Sequence, residues 1–161
     1  MAIAVVAGLL GLGCASTVDR GGVADAGGVG AVVDAWHAAA AAGDFHAYFG
    51  RMTDDAVFLG TDASERWGRA AFEDFARPHF DGVEAWTYRP RDRHVAFSGD
   101  GRTAWFDEML DHDRYGELRG TGVLRRGDDG GWRIAHYSLT FTVPNDRAAE
   151  VVGVIRRGSP G

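Results

Sequence analysis

The side chains in this sequence best suited to proton chemistry are two consecutive carboxylates, Asp107 and Glu108, in the run Thr103-Ala104-Trp105-Phe106-Asp107-Glu108-Met109-Leu110. Such a run reads as a strand, in which neighbouring side chains point to opposite faces, so the two cannot act as a paired-carboxylate site. One of them faces an interior: Glu108 with Ala104, Phe106 and Leu110, or Asp107 with Trp105 and Met109. Apolar residues on both sides imply that both faces are covered, one by a cavity and the other by a subunit interface. The inner carboxylate is a candidate general base. Its competing role is an ion pair with Arg119 on a neighbouring strand, because a buried charge needs a partner. His136 and Tyr137 pose the same alternation. Tyr137 shares an apolar face with Ala135, Leu139, Phe141 and Val143, toward core or cavity, where its hydroxyl is an available donor. His136 falls on a mixed face with Trp132, Ile134, Ser138 and Thr140, lining either a polar cavity or an interface, and an imidazole without a placed partner reads first as structural.

Asp62 and Glu65 lie on a polar loop after the apolar run Ala56-Val57-Phe58-Leu59, where a pocket mouth is expected; the alternative is local turn bonding by Asp62 or Ser64. Trp67, just behind, is a core anchor or a ligand wall. Asp111-His112-Asp113 has metal-compatible side chains but no second cluster at ligand spacing, so no metal site is expected. The segment from Arg89 to His94 is basic yet interrupted by Asp92, and reads as a solvated strand face. A nucleophile elbow, a phosphate-binding glycine loop and a dinucleotide fingerprint are all missing from the sequence, and no cofactor is expected.

The chain has 161 residues, room for one domain, with 45% hydrophobic and 25% charged residues and a heavy aromatic load of five Trp, nine Phe and four Tyr. Its net charge is −6, and all 17 basic residues are Arg. That balance argues against nonspecific nucleic-acid binding, which needs a basic footprint.

Met1–Gly13 is uncharged and apolar but shorter than the ~20 residues of a spanning helix, so it reads as a targeting segment. The stretch from Leu10 to Ser16 resembles a bacterial lipoprotein processing site, with Cys14 as the residue to be lipidated. Gly11 and the lack of a basic leader depart from that pattern; a cleaved secreted protein and an uncleaved cytosolic one are the alternatives. Cys14 is the only cysteine, which excludes an intrachain disulfide. The expectation is an exported protein, either membrane-anchored through Cys14 or periplasmic or secreted, touching a membrane only through that anchor.

The elements that must position these groups follow from periodicity. Residues 15–28 are rich in Gly, Ala, Ser and Asp and read as a tether. Val29, Val32, Val33, Trp36 and Ala40 then mark an amphipathic helix ended by Gly43, and Asp44 caps a short second helix carrying Phe45, Tyr48 and Phe49. After the strand at 56–59, a third helix carries Phe72, Phe75, Ala76 and Phe80, and Pro78 is expected to kink or close it about a turn before Gly82. Four strand candidates follow at Glu84–Ser98, Thr103–Asp113, Glu117–Arg126 and Gly131–Val143. The short Gly-containing links between them favour antiparallel hairpins, and Pro90 predicts a bulge or break. A last helix, capped by Asn145, places Ala148, Val151, Val152 and Ile155 on one face, before a tail at 157–161. Helices followed by an antiparallel meander define an α+β layout.

The segments Phe58–Trp67, Thr103–Glu108, Arg119–Leu124 and Trp132–Asn145, in this order, resemble the SnoaL-like branch of the nuclear transport factor 2-like superfamily over about residues 29–156. The resemblance implies a cone formed by a strongly curved antiparallel sheet, mixed at its edge, with helices on its concave face and a cavity between them, often in a homodimer. The candidate walls of that cavity are Trp36, Tyr48, Phe58, Trp67, Trp105 and Phe141, with Asp62 and Arg119 as its candidate polar groups. It does not fix a chemistry, since a shared fold hosts many functions. Three readings stay open: a pocket that binds a small, partly apolar molecule; a cofactor-independent isomerase, dehydratase or hydrolase using Glu108 or Asp107 as base and Tyr137 or His136 as donor; and a dimerising interaction module.

Overall fold

The computed structural model describes residues 21–80 and 86–158. Helix α1 (Gly21–Ala41) and helix α2 (Phe45–Phe49) precede strands β1 (Met52–Leu59) and β2 (Arg66–Gly68) and helix α3 (Arg69–Phe80). Strands β3 (Arg89–Phe97), β4 (Thr103–His112), β5 (Gly116–Arg126) and β6 (Trp132–Phe141) follow, then a 3-10 turn at Asn145–Arg147 and helix α4 (Ala148–Gly158).

The strands form one curved, unclosed sheet in the order β2-β1-β6-β5-β4-β3. β3 to β6 are antiparallel neighbours, as their short links require, and Gly101, Gly116 and Gly130 take the positive φ those hairpin turns need. β1 pairs with β6 in parallel, so the sheet is mixed on that side, and β2, a strand the periodicity did not mark, folds back antiparallel on β1.

Helices α1, α2 and α3 cover the inner face. Val29, Val33, Trp36 and Ala40 form the buried stripe of α1, and Gly43, at φ 66, turns the chain out of it. Asp44 then caps α2 by accepting the Ala47 amide at 2.9 Å. Phe72, Ala76 and Phe80 are the buried residues of α3, which retains Pro78 inside its last turn.

The chain departs from the expected boundaries in several places, among them β1, which begins at Met52 rather than at residue 56. α1 starts at Gly21, so residues 21–28 of the expected tether are helical; residues 1–20, with the targeting segment and Cys14, lie outside the described residues. Packing favours the extension, because Gly28 lies beside the Trp132 ring. β3 begins at Arg89 rather than Glu84, with Pro90 near the start of a sheet-edge strand, the position in a sheet where proline is tolerated. The pairing of β3 shifts between Arg91 and His94, and Asp92 has φ 51 there. Asn145 opens the 3-10 turn without a side-chain cap, and α4, which buries none of its residues, runs to Gly158, into the expected tail.

Candidate active site

On β5 the inward positions read Leu118, Gly120, Gly122, Leu124, all buried, so two glycines occupy the middle of the concave face. They leave room for large neighbours. A methyl group on Gly120 would overlap the Tyr137 hydroxyl and lie 3.1 Å from Glu108 Oε1; on Gly122 it would lie 2.5 Å from Phe106 Cε1 and 3.0 Å from the His136 carbonyl oxygen. Between this face and α1 to α3 lies a cavity of about 270 Å3. Trp36, Tyr48, Phe58 and Tyr137 are among its walls, and Glu65, Trp67, Phe75 and Tyr88 line it as well. The walls are braced ring against ring: Trp36 stacks on Tyr48 at 4.6 Å, Phe58 on Phe72 at 4.1 Å, and Trp67 on Phe75 at 4.6 Å.

Behind the wall is a buried charge network. Glu108, 0% exposed, accepts from or shares a proton with His37 Nε2 through Oε1 at 2.7 Å. Its other oxygen, Oε2, meets Arg93 Nε at 2.8 Å and Nη2 at 2.7 Å. The same guanidinium reaches Asp34 Oδ1 at 2.7 Å and donates to the Gly30 carbonyl at 3.1 Å, so it ties α1 to β3 and β4. Burial works against the charge on Arg93, but Glu108 and Asp34 outweigh it and raise its pKa. Of the acid and the base, His37 lines the cavity and Glu108 stands behind it. With Nε2 committed to Glu108, Nδ1 is the ring nitrogen left for a ligand.

Three tyrosines along the cavity are held neutral. Burial pushes Tyr48 well up, with the Tyr137 and Tyr88 phenols adding to it. Burial also raises Tyr137, helped by the Glu108 charge beside it. Tyr88 is pushed up to about 12 by burial, then by Tyr115 and the Glu65 carboxylate. Trp36 Nε1 is buried without a hydrogen-bond partner among the described residues, while the Tyr137 hydroxyl, buried beside Glu108, interacts with that carboxylate.

The structure separates the sequence-derived candidates. Glu108 is on the inner face, paired with Arg93 and His37 rather than with Arg119; Arg119 is exposed on the outer face, opposite Met109. Asp107 is exposed too, 3.4 Å from His94 Nδ1. Trp105 is 48% exposed on that outer face and does not line the cavity. Trp36, Tyr48, Phe58, Trp67 and Tyr137 do line it, and Phe141, 44% exposed, sits at its edge. Asp62 turns away and accepts the Ser64 amide at 2.8 Å and hydroxyl at 2.6 Å, the local turn role. His136 is half-buried and does not line the cavity. The expected faces of β6 need a correction, because Trp132 and Ile134 are buried along with Tyr137 and Leu139. A bulge is the reason: the pairing with β5 passes from Ile134 directly to His136, and Ala135 is the extra residue that switches the alternation.

His37 and Arg93 were missed by the sequence reading. His37 had a signal: it follows Val29 and Val33 at spacings of four, which puts an imidazole on the buried stripe of α1. Arg93 had none, since the bulge at Asp92 is what turns Arg91 outward and Arg93 inward.

The chain matches the family model described as the SnoaL-like domain over residues 29–144. Among solved structures it is similar to a nuclear transport factor 2-like protein of unknown function from Pseudomonas putida KT2440, with 15% identity and a TM-score of 0.64, covering 77% of this chain and 91% of that one. A protein from Streptomyces avermitilis, assigned provisionally as a dehydratase of the same superfamily, gives 19% identity and a TM-score of 0.64, covering 76% and 99%. A ketosteroid isomerase-like protein from Erwinia carotovora atroseptica gives 18% identity and a TM-score of 0.55, covering 73% and 96%. No curated protein matches the chain.

Proposed function

Because the chain belongs to the SnoaL-like domain family, we propose that it is a cofactor-independent proton-transfer enzyme, a dehydratase or isomerase, acting on a small, partly apolar ring compound. One observation carries this: at the cavity wall an imidazole is hydrogen-bonded at 2.7 Å to a fully buried carboxylate that an arginine holds from behind. An orienting carboxylate fixes the tautomer of the ring and offsets the positive charge it gains on taking a proton. His37 Nδ1 removes a proton from carbon; the proton then goes to a departing hydroxyl, releasing water and leaving a double bond, or returns at another carbon. Glu108 is thus a positioning residue, and the neutral Tyr137 hydroxyl supports charge developing on substrate oxygen. The dehydratase and isomerase-like relatives favour the same class of chemistry.

The test is deuterium incorporation into fused-ring ketones in heavy water. His37→Gln is expected to slow exchange by roughly 100- to 10,000-fold while leaving ketone binding intact. Undiminished exchange in His37→Gln overturns the assignment. A second reading, binding without turnover, is favoured by the full pairing of Glu108, both of whose oxygens are taken; tight ketone binding with no exchange in the wild type selects it.

Two further parts of this reading rest on separate features. Export with a lipid anchor rests on the uncharged segment before Cys14, and labelling with radioactive palmitate checks it, with unlabelled protein removing the anchor. A homodimer through the outer face rests on half-exposed Trp105, and sedimentation as a monomer at micromolar concentration removes it.

A further inference from the structure

The cavity that holds His37 has a second charged feature, at Glu65, and it bears on what the site accepts. The loop from Gly60 to Glu65 is built around this side chain. The Gly60 amide donates to the Glu65 carbonyl at 2.9 Å, the Glu65 amide to the Asp62 carbonyl at 3.0 Å, and the Asp62 amide to Glu65 Oε2 at 3.1 Å. The carboxylate folds over Gly60, where a methyl group would overlap Oε2 and lie 2.9 Å from Glu65 Cβ. Glu65 is therefore fixed in place, half-buried and lining the cavity. Among the described residues no cation pairs with it. Its charge is felt inside, where it contributes to holding the Tyr88 phenol neutral.

The rest of the lining completes the picture. Among the described residues no arginine lines the cavity, and its only bases are the imidazoles His37 and His79. Trp67, Phe75, Trp86 and Tyr88 line it together with Glu65. Ring faces carry negative potential and attract cations most strongly where water is displaced. An anionic ligand would meet a fixed carboxylate with no guanidinium to offset it, and a neutral one would leave that carboxylate partly desolvated and unpaired.

We infer that the substrate of this site is an organic cation, a quaternary or protonated amine on a flat ring body, with its ammonium group against Glu65 and the neighbouring rings. The inference rests on the reading of the cavity as a substrate site, and it narrows the substrate class. The ring body fills the aromatic interior toward His37, and the charged head settles beside the carboxylate.

Three probes of nearly one shape test it by quenching of tryptophan fluorescence: naphthylmethyl-trimethylammonium, its uncharged carbon isostere neopentylnaphthalene, and naphthylacetate. The ammonium is expected to bind the wild type roughly tenfold tighter than the isostere, and naphthylacetate to bind more weakly than either. Glu65→Gln, which keeps the acceptor for the Asp62 amide, is expected to bring the first two within about twofold. The inference is overturned if the isostere or the acid binds the wild type as tightly as the ammonium, if none of the three binds, or if Glu65→Gln keeps the full ammonium preference. The wild-type comparison needs no variant to fold. Loss of the ammonium preference with His37-dependent exchange retained removes this inference alone; loss of His37 dependence with the preference retained removes only the catalytic reading.

Discussion

Strand β4 carries two adjacent carboxylates with opposite fates, and they stand for the two faces of the sheet. Glu108 points inward, is 0% exposed, and meets an imidazole and a guanidinium. Asp107 points outward, with its side chain 57% exposed, and has only a histidine 3.4 Å away in solvent. The difference is one of dielectric. A buried carboxylate must be paired, and each partner must then be satisfied in turn, so charge organises the inner face. On the outer face water screens each pair, and Arg91 with Asp111 makes a contact of small weight.

Removing the two carboxylates in turn gives the largest expected contrast. Glu108→Leu strips Arg93 and His37 of their buried acceptor and is expected to destabilise the fold by about 3–5 kcal/mol. Asp107→Leu is expected to change stability by less than about 1 kcal/mol. Urea unfolding of the two variants measures both, and equal effects would mean that the sidedness of β4 is misassigned.

The glycines of β5 sharpen the contrast with a smaller effect. Gly120→Ala and Gly122→Ala add a methyl group to the concave face, against Tyr137 and Glu108 in one case and Phe106 in the other. Each is expected to cost about 1–3 kcal/mol through overpacking. Thr121→Ala, between them and turned the other way, is expected to stay within about 0.5 kcal/mol. Thermal unfolding separates the three, and a tolerated alanine at both glycines would contradict the crowding seen on this face.

Much of this arrangement was legible in the sequence, because period-2 and period-3.6 patterns are local. The stripe on α1, the cap at Asp44 and the hairpin turns at Gly101, Gly116 and Gly130 could all be read from neighbours. What escaped depends on single-residue insertions and distant pairing. The bulge at Ala135 inverts the faces of β6, so alternation counted from Tyr137 misplaces Trp132 and Ile134. The irregularity at Asp92 does the same for Arg93 and thereby hid the true partner of Glu108. Strand order was also beyond reach: Arg119 sits on one neighbour of β4 and Arg93 on the other, and only the fold decides which of them shares the inner face. Trp105, a candidate wall of the cavity, lies on the exposed face with Asp107, as their shared parity on β4 requires.

The tyrosines test the inner face by its response to alkali. Tyr48, Tyr88 and Tyr137 have folded-state pKa values raised above the ordinary phenol value near about 10, chiefly by burial. A raised value means that the folded state holds the proton more tightly than the unfolded chain does. The stability this represents is therefore fully present below about pH 10 and declines as the pH rises toward and through the folded values, about 12 for Tyr88. Tyrosinate absorbance and circular dichroism followed together are expected to show these phenols ionising as the fold is lost. Tyr88→Phe removes one contributor and should make the alkaline decline shallower while leaving neutral-pH stability nearly unchanged, the smallest of the three effects. Ionisation of Tyr48, Tyr88 and Tyr137 near the ordinary phenol value, with the dichroism of the folded state intact, would mean that the inner face is wetter than its packed rings imply.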